Sequence, residues 1–219
     1  VSLSTASGQT VTVGYNTSNG TATGGSDYTA ATGTLTFAPG VTTQTITVPI
    51  ADDALNEANE TFNVNLVTPT NATIADALGI GTISNNDTPP SVTINDIVVN
   101  EATGNATFTV SLSAASGQTV TVNYATSDGT AIAGSDYTLK SGTVTFAPGV
   151  TTQTFTVAIG SNNTYEGTES FNVNLVSATN ASIADSQGGA TIRDDGTGSG
   201  GTSDDRPTLA VNSFNVDEN

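Results

Sequence analysis

The amino-acid sequence predicts an all-β protein built from tandem two-sheet sandwiches, and three observations carry this prediction. Apolar and polar residues alternate with a period of two, as in residues 11–13 and 62–66. Turn-forming residues interrupt this alternation at short intervals, as at Asn19-Gly20 and Pro39-Gly40. A domain-sized segment also repeats along the chain. Alternation with frequent turns is typical of half-buried strands, and no segment shows the stripe of an amphipathic helix.

The repeat sets the predicted domain organisation. Residues 7–13, 37–45 and 62–67 recur unchanged at 116–122, 146–154 and 171–176. All three pairs have the same separation in residue number, the repeat offset. A third copy begins at residues 207–219, which resemble the segment that starts at Pro90. We therefore expect a truncated repeat at 1–88, a complete repeat at 91–195, a Gly/Ser-rich linker at 196–206 and an orphan first strand at 207–219.

The complete copy is predicted to contain a strand in each alternating segment. In order, these strands fall at about 91–100, 105–113, 118–126, 141–147, 152–159, 169–177 and 188–193. About seven short strands in roughly 100 residues is the pattern of an immunoglobulin-like sandwich. The first copy begins at the equivalent of Val110, so it lacks strand A and part of strand B. A sandwich without these strands is expected to have an exposed edge and an open groove.

Composition excludes several classes of function. The chain has 219 residues, with three basic and twenty acidic side chains and no His, Cys, Met or Trp. The absence of Cys and His excludes thiol chemistry, His-based triads and the usual zinc sites. A net charge of -17 disfavours nucleic acid and anionic membranes as partners. No apolar run reaches the length of about 20 residues that membrane insertion requires. We expect no catalysis, and the missing Cys and Met suit an extracellular or cell-surface location.

The acidic residues gather in loops that a sandwich would bring to one end. In the first copy they are Asp27, Asp52, Asp53, Glu57, Glu60 and Asp87, and in the second Glu101, Asp128, Asp136, Glu166, Glu169, Asp194 and Asp195. Crowded carboxylates are the ligands that Ca²⁺ prefers, so calcium is the expected cofactor. The alternative is scattered solubilising charge on turns. A glycosidase carboxylate pair is disfavoured because no Trp and few aromatic residues are present to line a sugar cleft.

Several motifs of the second copy resemble the Calx-beta family. They are Asp128-Gly129-Thr130-Ala131, Gly134-Ser135-Asp136-Tyr137, the Gly142–Phe146 run with Pro148-Gly149, Glu166-x-x-Glu169-x-Phe171 and Thr191-Ile192-x-Asp194-Asp195. That family is named from the regulatory domains of sodium/calcium exchangers and recurs in integrin beta-4 and in large bacterial surface adhesins. The resemblance covers essentially the whole chain. It implies a seven-stranded sandwich that binds calcium at one tip.

The resemblance also implies a set of metal ligands. In the second copy these positions are Glu101, Asp136, Glu166, Glu169, Asp194 and Asp195, and Ser161-Asn162 replace an acidic pair of the family. In the first copy they are Asp27, Asp52, Asp53, Glu57 and Glu60, with Asp87 as the carboxylate that remains after the last strand. The strand A glutamate of the first copy is missing, and Glu218 in the third copy is its equivalent.

These features favour an extracellular structural repeat, which would be a calcium-stiffened stalk or fibre segment of a surface adhesin or filament. The Gly/Ser-rich linker at 196–206 would let residues 207–219 complete the first domain of another copy by strand addition. The expected partners are therefore copies of the chain itself. The same contact would form within one polypeptide if the sequence is a window from a tandem array. The alternative function is a calcium-sensing regulatory domain pair.

Overall fold

The structure, a computed structural model, describes residues 1–161, 164–194 and 209–213. The chain divides into two compact units, Val1–Thr88 and Pro89–Asn219. The regular elements of the described residues are strands, and the 3-10 turn Glu101–Thr103 is the one helical element among them. The predicted all-β class of tandem immunoglobulin-like sandwiches is confirmed. Within this part of the chain, no helix has the length and apolar character needed to cross a membrane.

The first unit contains one antiparallel sheet of four strands. They are β1 (Val11–Asn19), β2 (Thr32–Phe37), β3 (Glu60–Thr70) and β4 (Leu78–Ile83), in the order β2-β1-β3-β4. Val11, Val13, Leu35 and Phe37 are buried on one face of this sheet, as the alternation predicts. A second small cluster of Ala22, Tyr28 and Phe62 packs near the start of β3.

The second unit is a complete sandwich of two sheets. Its strands are β5 (Ser91–Ile94), β6 (Ile97–Asn100), β7 (Asn105–Leu112), β8 (Val120–Asp128), β9 (Ser141–Phe146), β10 (Thr152–Ala158), β11 (Thr168–Thr179), β12 (Ser182–Ile183) and β13 (Gln187–Arg193). One sheet has the order β10-β7-β5-β12 and the other β6-β13-β11-β8-β9. Phe108, Phe146 and Phe171 are fully buried between them. Two pairs of aromatic rings stack in this unit, with centroid distances of 3.9 Å for Tyr124–Phe155 and 4.2 Å for Tyr137–Phe171.

The predicted first strand of this unit is divided between the two sheets. β5 pairs with β7 and β12, whereas β6 runs parallel to β13. At the crossing, the Thr109 N–H donates to Asn95 Oδ1 over 2.6 Å and the Gly189 N–H donates to Asp96 Oδ1 over 2.7 Å. These side chains therefore replace strand-to-strand bonds where the chain changes sheet.

Residues 45–48 of the first unit do not form the strand that their alternation predicts. Ser2 and Thr43 form an isolated bridge, as do Tyr28 and Ile50, but no ladder joins the residues between them. In the second unit, β10 pairs with β7 from Thr152 and Ser111 onward. The bridge between Ser2 and Thr43 is the equivalent of that first pair. The residues between Thr43 and Ile50 therefore have no ladder partner among the described residues of the first unit.

The same difference leaves an open groove beside the first sheet, as the truncated repeat predicts. The groove has a volume of about 720 Å³, and its lining includes Leu3, Phe37, Leu66 and Ile74. In the second unit, β5 carries Val92 and Ile94 into the core, where they are 0% and 4% exposed. The predicted linker 196–206 and most of the orphan strand 207–219 lie outside the described residues. Strand donation therefore stays a prediction.

Candidate metal centres

Three carboxylates meet at one end of the first unit. Oxygen atoms of Asp27, Glu57 and Glu60 lie within 4.8 Å of one another. Two oxygens that share one Ca²⁺ at about 2.3–2.6 Å each are at most about 5 Å apart, so this spacing suits a single shared ion. Asp27 comes from the loop between β1 and β2, and Glu60 is the first residue of β3.

Backbone hydrogen bonds fix the Asp27 loop. The Thr23 N–H donates to Asp27 Oδ2 over 2.6 Å, and the Asp27 N–H donates to the Thr23 carbonyl oxygen over 3.0 Å. The Ala51 N–H donates to the Asp27 carbonyl oxygen over 2.9 Å, which joins this loop to the segment before Asp52. One backbone N–H therefore orients the carboxylate, and the main chain of Asp27 is itself bonded to the segments on both sides.

The remaining acidic residues predicted for the first unit border the same depression. Its volume is about 40 Å³, which exceeds the roughly 10–15 Å³ that one water needs. Its acidic lining residues are Asp27, Asp52, Asp53, Glu57, Glu60 and Asp87. Carboxylates from separate loops therefore share one small space, and a single cation there would contact several loops at once.

The second unit repeats this arrangement. Oxygen atoms of Asp136, Glu166 and Glu169 lie within 4.8 Å of one another. Asp136 is only 8% exposed, and the Ile132 N–H donates to its Oδ2 over 2.7 Å. The repeat offset relates this triad, residue by residue, to that of the first unit. The two centres thus have the same plan, although Asp27 is only partly buried.

Two further predicted ligands of the second unit lie around its triad. Glu101 is 6% exposed in the 3-10 turn, and its charge acts on Glu169. Asp194, just after β13, accepts hydrogen bonds on Oδ2 from the N–H groups of Glu166 and Gly167, over 2.9 Å and 3.4 Å. The predicted ligands Asp195 and Glu218 lie outside the described residues.

Asp128 belongs to a different interaction from the other acidic loop residues. Its Oδ1 accepts hydrogen bonds from the Tyr137 hydroxyl over 2.6 Å and from the Ala133 N–H over 3.0 Å. Burial, together with the hydrogen bond to Asp128, raises the pKa of Tyr137 to about 12. Asp128 therefore organises the loop that precedes Asp136 and is not part of the triad.

Burial and like charge raise the proton affinity of both centres. Burial, and then the charge of Asp53, raises the pKa of Glu57 above its ordinary value, and burial followed by Asp27 does the same for Glu60. The effect is largest in the second unit, where burial and then the charge of Asp136 raise the pKa of Glu169 to about 7. In contrast, the hydrogen bond from the Thr23 N–H lowers the pKa of Asp27. A cation would relieve this mutual repulsion.

Sequence reasoning missed two asparagines at the first centre. The Glu57 N–H donates to Asn85 Oδ1 over 3.1 Å, so Asn85 occupies the place of Asp194. Asn56 is 5% exposed, and its Nδ2 donates to the Asp87 carbonyl oxygen over 2.9 Å. The repeat offset aligns Asn85 with Asp194 and so contains the signal, but a search for carboxylates alone overlooks it.

A family model for the Calx-beta domain matches residues 1–88 and 84–196. The chain belongs to the Calx-beta family. Sodium/calcium exchanger 2 from rat, mouse and human is 31% identical over 183 residues, which cover 74% of this chain and 20% of each relative. Sodium/calcium exchanger Calx of Drosophila melanogaster is 28% identical over 167 residues, covering 74% of this chain and 18% of the relative. The Calx-beta chain thus spans about a fifth of the length of these curated relatives.

Two solved structures are also similar to this chain. The apo-form Calx CBD1 domain is 25% identical, covers 48% of this chain and 97% of its own, and has a TM-score of 0.47. The crystal structure of CBD12 from CALX1.2 is 22% identical, covers 85% of this chain and 88% of its own, and has a TM-score of 0.44.

The relatives correct the function expected from the sequence. The prediction of an extracellular stalk or fibre segment is wrong, because the curated relatives are sodium/calcium exchangers rather than adhesins or filaments. The finding favours the stated alternative, a calcium-sensing regulatory domain pair. The Gly/Ser-rich linker and the near-identical repeats misled the prediction. Both features describe how the chain is organised, and neither identifies its function.

Proposed function

We propose that this chain is a calcium-binding regulatory domain pair, in which each Calx-beta unit binds Ca²⁺ at its carboxylate triad. The observation that carries the proposal is the recurrence of Asp27, Glu57 and Glu60 at the repeat offset, with oxygen atoms within 4.8 Å in both units. Calcium is the predicted cofactor, and the family comparison supports it. The role is one of binding, and no catalytic step is proposed.

Regulation follows from the way that the carboxylates are distributed. In the first unit, the depression joins the loop of Asp27 to residues 51–60 and residues 83–87. Without a cation, burial and then the repulsion between neighbouring carboxylates raise the pKa of Glu57 and of Glu60. An ion would replace this repulsion with shared coordination and would order all of these loops together. The order of these loops would thereby depend on the calcium concentration.

The exchangers suggest the setting in which such a pair acts. Because the chain spans only about a fifth of their length, we infer a module that regulates a larger protein. The extracellular or cell-surface location and the self-association expected from the sequence stay predictions.

A calcium titration of the full chain tests the proposal. Isothermal titration calorimetry should detect binding, and the melting temperature should rise by on the order of 10 °C when calcium is about 100 times its Kd. Asp27→Asn and Asp136→Asn should each weaken binding in their own unit. A melting temperature that millimolar calcium leaves unchanged would contradict the proposal.

The repeat supplies a matched pair of control variants. Asp76 and Asp185 are exposed equivalents outside the triads, and each accepts a hydrogen bond from a nearby backbone N–H. Asp76→Asn and Asp185→Asn therefore remove the same charge without removing a triad ligand. Both should bind calcium like the parent chain. If they weaken binding as much as the triad variants, net charge and not the triad is responsible. Magnesium, which demands a tighter octahedral site, should bind more weakly than calcium.

A further inference from the structure

We propose that Asn19 is a site of spontaneous deamidation, because hydrogen bonds from its own loop activate its side-chain amide. The aspartate product would be the side chain that the second unit carries at the equivalent position, Asp128. Asn19-Gly20 is the one Asn-Gly dipeptide in the 219 residues. Glycine lacks a side chain, so its backbone nitrogen can approach the preceding asparagine side chain with the least steric hindrance. The reaction requires water and no other reagent.

The dipeptide lies where the backbone leaves regular structure. Asn19 is the last residue of β1, and Gly20 begins the turn that follows. Both residues are exposed, so water and hydroxide reach them. The attacking nitrogen belongs to the turn and not to the interior of the strand ladder.

Two hydrogen-bond donors point at the amide oxygen of Asn19. The Gly24 N–H and the Tyr28 hydroxyl each donate to Asn19 Oδ1 over 2.8 Å. Attack on the amide carbon places negative charge on this oxygen, and donors already in position stabilise such charge. Tyr28 is 1% exposed, so its hydroxyl is held in place by the surrounding core. This pair of donors distinguishes Asn19 from an asparagine in an unstructured turn.

The reaction balances with water alone. Solvent base removes the proton from the Gly20 nitrogen, which attacks Asn19 Cγ and forms an N–Cγ bond. The Cγ–Nδ2 bond breaks, and the nitrogen leaves as ammonia after taking up a proton. Water then opens the five-membered imide at either carbonyl. One opening gives aspartate, and the other gives isoaspartate, which carries an extra methylene in the main chain.

The second unit shows what the aspartate product would do. Asp128-Gly129 occupies the equivalent position, and Asp128 Oδ1 accepts from the Ala133 N–H and the Tyr137 hydroxyl just as Asn19 Oδ1 accepts from their counterparts. Aspartate at position 19 would therefore keep both hydrogen bonds and add one negative charge. Isoaspartate would instead lengthen the main chain ahead of the loop that carries Asp27.

Peptide mapping by mass spectrometry tests the proposal on the folded full chain in mildly alkaline buffer. We expect the peptide containing Asn19 to gain the deamidation mass before any other asparagine-containing peptide. The Tyr28→Phe variant, which loses one donor, should deamidate at Asn19 about fivefold more slowly, the rate equivalent of one neutral hydrogen bond. Tyr137→Phe removes the equivalent hydroxyl from the second unit and should leave the Asn19 rate unchanged.

Three results would overturn the proposal. One is an intact Asn19 when other asparagines have deamidated. Another is an unchanged or faster rate in Tyr28→Phe, because the hydroxyl would then restrain the side chain instead of activating it. The last is an Asn19→Asp variant that melts well below the parent chain, since the equivalence with Asp128 predicts a similar melting temperature.

Discussion

The backbone N–H of Glu166 donates a hydrogen bond to a carboxylate oxygen of Asp194, with an N to O distance of 2.9 Å. The first unit makes the same connection with a neutral partner, because the Glu57 N–H donates to Asn85 Oδ1 over 3.1 Å. In each unit this bond ties the loop before the long strand to the end of the last strand. The loops are thus connected in the same way, but only one connection brings a negative charge.

A reciprocal exchange of these partners should shift calcium affinity in opposite directions. Asn85→Asp adds a carboxylate beside the first triad, and Asp194→Asn removes one beside the second, while each substituted side chain keeps an oxygen that can accept the bond. We expect the first variant to bind calcium several-fold more tightly in its unit and the second several-fold more weakly. Isothermal titration calorimetry measures both. Equal shifts in the same direction would indicate a change in loop structure instead of charge.

Stability without calcium should fall as pH rises through the range in which Glu169 titrates. The pKa of this carboxyl is about 7 in the folded chain against an ordinary value of 4.5, so the folded state binds the proton more tightly than the unfolded state. The stabilisation from this group is fully present below pH 4.5 and is lost as pH rises through about 7. Urea titrations in chelator at several pH values measure this slope.

Glu169→Gln is the control for that pH dependence. The amide is neutral at every pH of the series, so the variant should lose the decline between pH 4.5 and about 7. Glu166→Gln, which changes a more exposed member of the same triad, should retain most of it. If Glu169→Gln and the parent chain have the same slope, another group is responsible for the decline.

Truncation of Phe171 should destabilise the second unit and weaken its metal site together. The ring is fully buried, stacks on Tyr137 at 4.2 Å and meets Phe108 edge-on at 6.1 Å. Phe171→Ala should lower the free energy of unfolding by about 3–5 kcal/mol. Calcium affinity should fall as well, because Tyr137 directly follows Asp136. Val176→Ala, at a position that is 66% exposed, should change stability by no more than about 0.5 kcal/mol.

Backbone amides of residues 45–48 should exchange with solvent much faster than those of residues 154–157. The two segments are equivalent in sequence, but only the second lies in a ladder, where Phe155 pairs with Phe108. Amides without a ladder partner are protected only by local structure. Hydrogen-exchange mass spectrometry compares the segments within one sample. Similar protection would mean that the first segment has a backbone partner that the structure does not contain.

The alternating pattern and the repeat predict most strands, and the loop positions of the acidic residues predict that carboxylates cluster in each unit. The repeat offset aligns the glutamates of the two triads, and alternation at Val11 and Val13 correctly gives the buried face of β1. Three features could not be predicted from the sequence because they depend on partners that are distant in the chain. Residues 45–48 have the right alternation but no ladder partner among the described residues. The first strand divides near Asn95 because its two halves pair in different sheets, and Asn85 accepts its hydrogen bond from the N–H of Glu57.

The two triads differ in which member is buried, since Asp136 is 8% exposed whereas Asp27 is only partly buried, but Glu166 is exposed whereas Glu57 is partly buried. An ion entering the second centre must displace the proton that Glu169 holds near neutral pH, whereas several aspartates border the first centre and would attract it. With the proposed function, one polypeptide would then carry two calcium thresholds. Both units would respond to calcium in competition with protons, and this competition would be stronger in the second unit, where the pKa of Glu169 is raised furthest, so a change in pH would shift the two thresholds by different amounts.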